Sequence, residues 1–118
     1  MKIDIFYTLY TDGDYCLKEP EKFGGIRDED ESYLYNGSVT FIDKEVWRCK
    51  NNAKDFLWKF LCEGIHVSYT HPWLIEDFYH CIRGLVDDID AFESGSSISR
   101  QHISGNYDGT ILEVFISE

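Results

Sequence analysis

Residues 72–93 read PWLIEDFYHCIRGLVDDIDAFE, and this stretch decides the fold. At about 100° per residue, Leu74, Ile75, Phe78, Tyr79, Ile82, Leu85, Val86, Ile89 and Phe92 fall within an arc of about 140°. A stripe of that width belongs to a helix with one face against a core. Pro72 suits the first turn, where its missing N–H costs nothing, with Thr70 or His71 as cap. Gly84 lies on the opposite face and costs roughly 1 kcal/mol of helix propensity without breaking the stripe. Gly95 and the serine-rich run after it mark the stop.

Upstream, residues 52–63 make a shorter helix. Asn52 is its N-cap, Asp55 stands near a capping-box position, and Gly64 is its C′ residue. Ala53, Phe56, Leu57, Phe60 and Leu61 share one side of it. Residues 65–69 form a short strand or an extended connection. Residues 38–49 are rich in β-branched and aromatic types and read as a strand, with Asp43-Lys44 as a bulge or a dividing turn.

The chain opens on KIDIFYTLY (2–10), which alternates: Ile3, Ile5, Tyr7 and Leu9 on one face, Lys2, Asp4, Phe6 and Thr8 on the other. It closes on TILEVFI (110–116), with Leu112, Val114 and Ile116 opposed to Ile111 and Phe115. Asn106-Tyr107-Asp108-Gly109 supplies a turn that joins this last strand, an interior one, to a polar edge strand over 97–104. Residues 11–37 read as a long acidic loop, with a short strand near Ser32–Tyr35. The order predicts an α+β fold in two layers, an antiparallel sheet of about four to five strands packed by two helices, in a single domain over 1–118.

Composition bounds the rest. A chain of 118 residues, 43% of them hydrophobic, buries roughly two thirds of its unfolded surface and needs no disulfide staple. No apolar run reaches the roughly 18 residues of a membrane span, and the N-terminus lacks the pattern of a secretory signal. Cys16, Cys49, Cys62 and Cys81 form no C-x-x-C pair, and they read as reduced thiols in a cytoplasmic protein. Neither a nucleotide-binding glycine loop nor a nucleophile elbow is present, so no cofactor is implied. His80 and Cys81 are adjacent on the helix and point about 100° apart, which argues against a metal site there.

Charge is the informative quantity. Twenty-two acidic residues against 11 basic ones give a net charge of −11. Such a chain repels nucleic acid and anionic membranes and favours a basic protein partner. The long helix turns Trp73, Asp77, His80, Asp87 and Asp88 away from its apolar stripe. A tryptophan rimmed by carboxylates is the composition of a binding hot spot, although a first-turn tryptophan also covers loops. Asp87, Asp88, Asp90 and Glu93 crowd the helix C-terminus, where negative charge opposes the macrodipole and a cationic partner compensates it. Asp28, Glu29, Asp30 and Glu31 make a second acidic patch.

In class, size and charge the chain resembles the immunity proteins of bacterial toxin systems, including the contact-dependent growth inhibition type. The resemblance implies tight binding to a cognate toxin domain, often a nuclease, with acidic residues meeting its basic cleft. Three other classes remain open: a phage-type mimic of nucleic acid, a small enzyme with a carboxylate or cysteine site, and a structural subunit pairing through its 97–104 edge.

Overall fold

A computed structural model describes residues 1–10, 15–27, 34–67, 73–92, 98–103 and 111–117. The elements are β1 (Lys2–Tyr10), β2 (Tyr15–Leu17), a 3-10 turn (Pro20–Phe23), β3 (Gly25–Arg27), β4 (Leu34–Ile42), α1 (Val46–Lys59), a π-helical turn (Phe60–Gly64), β5 (Ile65–Val67), α2 (Trp73–Ala91), β6 (Ile98–Ile103) and β7 (Ile111–Ser117). Five strands form one antiparallel sheet in the order β3-β4-β1-β7-β6, and β2 pairs with β5 apart from it. The fold is α+β, with both helices on one face of the sheet.

Alternation decides which face that is. Ile3, Ile5, Tyr7 and Leu9 of β1 are buried, as are Val114 and Ile116 of β7. Burying one strand residue in two suits a sheet with a single covered face. The α2 stripe meets it with Phe78, Ile82, Leu85, Val86 and Ile89, and Phe92 follows just past the helix. β1 is the middle strand, β7 is interior and β6 is an edge, as the apolar and polar strand compositions imply.

The first helix starts earlier than expected, at Val46 rather than Asn52. The segment 38–49 is therefore a strand only as far as Ile42, and Asp43-Lys44 begins a turn. Asp43 organises that turn: its carboxylate accepts the Glu45 N–H at 2.9 Å and lies 3.6 Å from Arg48. Cys49, Ala53 and Leu57, spaced by four, continue the buried stripe back into the residues read as strand. Val46 and Trp47, whose residue types favour strands, sit exposed in the first turn, with the Arg48 guanidinium over the Trp47 ring. Asn52 is an exposed helical residue and caps nothing. Gly64 does end the helix, but through a π turn in which the Ile65 N–H donates to the Phe60 carbonyl.

The segment 11–37 also differs from a long loop. It contains β2, the 3-10 turn and β3, and β4 starts at Leu34 and runs unbroken into the expected later strand. These pieces are too short for a periodic signal, and pairing with β5 and β4 sustains them. Gly24, at φ 67°, closes the 3-10 turn by donating its N–H to the Pro20 carbonyl. The cap candidates Thr70 and His71, the first-turn Pro72 and the turn Asn106–Gly109 lie outside the described residues.

Tyr7 locks this corner to the sheet. It pairs with Gly37 across β1–β4, and Gly37 pairs in turn with Gly25. A Cβ on Gly37 would lie 2.2 Å from the Tyr7 ring, and one on Gly25 would lie 2.1 Å from its hydroxyl. The two glycines thus clear a channel through which the buried phenol reaches the 3-10 turn and donates to the Phe23 carbonyl at 2.9 Å. Rings pack around it: Phe60 at 4.7 Å from Tyr7, and Phe23 at 5.8 Å from Phe60 and 6.0 Å from Phe56.

Burial pushes the Tyr7 phenol from 10.0 up to about 12. The folded chain then holds a proton that the unfolded chain releases above pH 10, so stability falls as pH rises through that interval. The slope is about 1.4 kcal/mol per pH unit. Urea midpoints between roughly pH 9 and 12 should fall more steeply for the wild type than for Tyr7→Phe. Parallel curves would show that the phenol is solvated.

Candidate interaction surfaces

The exposed side of α2 is the first candidate. Glu76, His80 and Asp87 are exposed along it and Asp88 is half-buried. His80 Nε2 lies 3.8 Å from Glu76, a surface i,i+4 pair worth little by itself. Tyr79 marks the border of the stripe: its ring lies 5.8 Å from Trp58 of α1, and Arg83 donates to its hydroxyl at 3.4 Å. Trp73 and Asp77 stand on the α2 backbone, but their side chains lie outside the described residues, as do Asp28, Glu29, Asp30 and Glu31. The structure therefore brings His80, Asp87 and Asp88 onto one helix.

Asp90 is engaged within the fold. Lys54 of α1 pairs with its carboxylate, and Lys50 donates to the Asp90 carbonyl at 3.2 Å and to the Phe92 carbonyl at 2.6 Å. Two lysines of the neighbouring helix thus neutralise the negative end of α2 and cap its last carbonyls. Compensation of the acidic helix end thus comes in part from within the fold. No spacing rule relates Lys50 and Lys54 to Asp90, because the pairing depends on how α1 lies beside α2.

The second surface is the face of the sheet turned away from the helices. Phe6 is 43% exposed, Phe115 38%, Ile26 73% and Ile42 74%. Phe6 and Phe115 meet edge to face with centroids 5.6 Å apart. Around them stand polar side chains. Asp4 lies 3.6 Å from Lys2 and accepts from Thr40, Thr8 donates to Asn36 at 3.2 Å, and Glu113 pairs in register with Phe6. A hollow of about 200 Å³ lies between Phe6, Tyr7, Thr8 and Glu113, and a wider one of about 420 Å³ extends from Phe6 towards Ile26 and Asn36. Alternation in β1 and β7 marks Phe6 and Phe115 as facing away from the core. Their contact depends on the β1–β7 register, which the sequence does not state.

The side chain of Cys16 lies outside the described residues, and the other three cysteines are free thiols. Cys49 is buried and donates to the Phe41 carbonyl at 3.4 Å, and burial pushes its thiol up. Cys62 is exposed and Cys81 half-buried. Among the described residues, no three His, Cys, Asp or Glu side chains cluster closely enough to hold a metal, and no helix is long and apolar enough to cross a membrane. Comparisons with family models, curated proteins and solved structures find no match to this chain.

Proposed function

We propose that this chain is a cytoplasmic binding protein without catalytic activity that captures a basic protein and neutralises it, as an immunity protein does to a cognate toxin domain. The observation that carries the reading is the net charge of −11, with several of the cations engaged in pairs within the fold. Lys50 and Lys54 serve the end of α2, Lys2 pairs with Asp4, Lys22 with Glu19 and Arg48 with Asp43. Among the described residues, Glu76 and Asp87 face outward on α2 in a chain whose net charge is −11. Such a field speeds encounter with a positively charged partner and repels polyanions.

Tagged protein exposed to an extract of the cells that encode it should retain one basic protein, released only as salt is raised. Stoichiometric addition of this chain should then abolish that protein's activity. Retention of nothing specific contradicts the proposal. So does a captured protein whose activity is unchanged at saturation. Recovery of a nucleic-acid-binding effector of restriction or interference would replace it with nucleic-acid mimicry.

A further inference from the structure

We propose that the outer edge of β4 takes an antiparallel strand from a partner protein, with one apolar side chain of that strand seated between β4 and α1. The inference goes beyond the reading above, since it needs no charge on the partner. Two backbone hydrogen bonds fix which groups of β4 point outward. The Asp43 N–H, just past β4, donates to the Met1 carbonyl at 3.2 Å, so odd-numbered residues face β1. The Ser38 N–H donates to the Gly24 carbonyl at 3.1 Å, so even-numbered residues face the other way. β3 takes up that outer side only at Tyr35, Asn36 and Gly37. Among the described residues no strand continues it, so the backbone N–H and C=O of Thr40 and Ile42 point outward with no strand opposite. Both residues are exposed, Ile42 by 74%. Edges that stay single commonly carry a charge, a proline or a bulge. The run SVTFI (38–42) has no charge and no proline, and its one-to-one register with β1 leaves no bulge.

Such an edge recognises one chemistry, the backbone of another extended chain. β3 is the example within the fold, a short antiparallel strand on the same side of β4. A strand continuing past it exchanges backbone hydrogen bonds with Thr40 and with Ile42. Its residue between those two stands opposite Phe41 and points to the same face as Phe41. That face is the helix side, because Val39 and Phe41 pair across β1 with the buried Ile5 and Ile3. There a cleft of about 320 Å³ lies between Val39, Phe41 and Phe56, with the polar side chains of Lys22, Asp55 and Lys59 also lining it. The Phe41 and Phe56 rings, 5.8 Å apart, give it an apolar wall. A second copy of this chain has no side chain to offer there. When β4 pairs two-fold with itself, Thr40 meets Thr40 or Ile42 of the other copy. Phe41 then stands opposite Val39 or Phe41, and each of these already lines its own cleft.

The probe is acetyl-Ser-Thr-Leu-Thr-Ser-amide, whose leucine would enter the cleft while the threonines pair with Thr40 and Ile42. It is set against the same peptide N-methylated at both threonines, which keeps the side chains but cannot donate, and against the peptide with alanine for leucine. Each is titrated into the isotopically labelled chain and followed by amide shifts and hydrogen exchange. In the free chain the Thr40 and Ile42 amides should exchange about tenfold or more faster than those of Val39 and Phe41. The first peptide should give saturable shifts centred on Thr40, Phe41 and Ile42 and slow exchange at Thr40 and Ile42. The methylated and alanine peptides should each bind about threefold or more weakly. Ile42→Pro removes an outward N–H without touching the β1 ladder. It should keep the wild-type spectrum elsewhere and weaken binding by about threefold or more. Glu76→Gln on α2 should leave binding unchanged.

Equal binding of the methylated peptide, shifts centred elsewhere, or shifts that never saturate would overturn the site. Slow exchange at Thr40 and Ile42 in the free chain would overturn it too, by showing the edge already covered. A dimer in sedimentation under the same conditions would assign that cover to a second copy. Failure of this site leaves the immunity reading standing, because capture of a basic protein through α2 does not need the β4 edge.

Discussion

Ile82→Asp should leave the chain without a cooperative unfolding transition. Ile82 is fully buried in the middle of the α2 stripe, between Phe78, Leu85 and Ile89. The substitution removes a core side chain, which for comparable truncations costs about 2–5 kcal/mol. It also places a carboxyl among apolar atoms, where even the neutral form lacks hydrogen-bond partners at a further cost of roughly 1–3 kcal/mol. Their sum reaches the roughly 5–15 kcal/mol available to a typical domain. Ile82→Val should lower stability by only about 0.5–1.5 kcal/mol. Asp87→Lys, on the exposed side of the same helix, should stay within about 0.5 kcal/mol of wild type. Circular dichroism during heating distinguishes the three. A sharp melt for Ile82→Asp would mean that α2 does not seat its stripe on the sheet.

The second large effect lies in the tyrosine channel. Gly25→Ala should destabilise the chain by about 2–3 kcal/mol, because the new methyl would stand 2.1 Å from the Tyr7 hydroxyl. The phenol must then withdraw from the Phe23 carbonyl and leave that acceptor unsatisfied. In a Tyr7→Phe background the severe clash is removed, and the next atoms, the ring carbon at 3.1 Å and the Pro20 carbonyl oxygen at 3.3 Å, need give only by a few tenths of an ångström. There the same substitution should cost less than about 1 kcal/mol. Tyr7→Phe alone costs about 1–2 kcal/mol for the lost hydrogen bond. A double-mutant cycle by urea denaturation gives the coupling directly. Additive costs would show that Gly25 is held for some reason other than the hydroxyl.

Both effects show which parts of the fold were legible in the sequence. The α2 stripe and the alternation in β1 were readable because each is long and strictly periodic. β1 maps onto buried residues, and so does the stripe from Phe78 to Phe92 except Tyr79, which is exposed at its border, while the side chains of Leu74 and Ile75 lie outside the described residues. The start of α1 was not, because Val46-Trp47 carries strand-type residues on a helix surface and the cap signal at Asn52 competes with the Asp43 turn. Gly25 and Gly37 both fell within the segment 11–37, read as a loop. Their purpose depends on Tyr7, distant in sequence and brought next to them by strand register.

The interaction surfaces were legible to a lesser degree. Outward placement of His80 and Asp87 followed from helical angle alone. Asp90 looked equally available, yet it is engaged by Lys54 across the helix pair. Phe6 and Phe115 were each assigned to the less apolar face of their strand. Only the β1–β7 register makes them a pair with Glu113 beside them.

The central claim is that surplus negative charge on this fold binds a basic protein. Affinity for the captured partner, measured by calorimetry over a series of salt concentrations, tests it most directly. The account predicts that the dissociation constant rises steeply with salt. It also predicts that reversing Glu76 and Asp87 to Lys, both exposed on α2, flattens that dependence and weakens binding while the melting temperature holds. An affinity indifferent both to salt and to those reversals would contradict it.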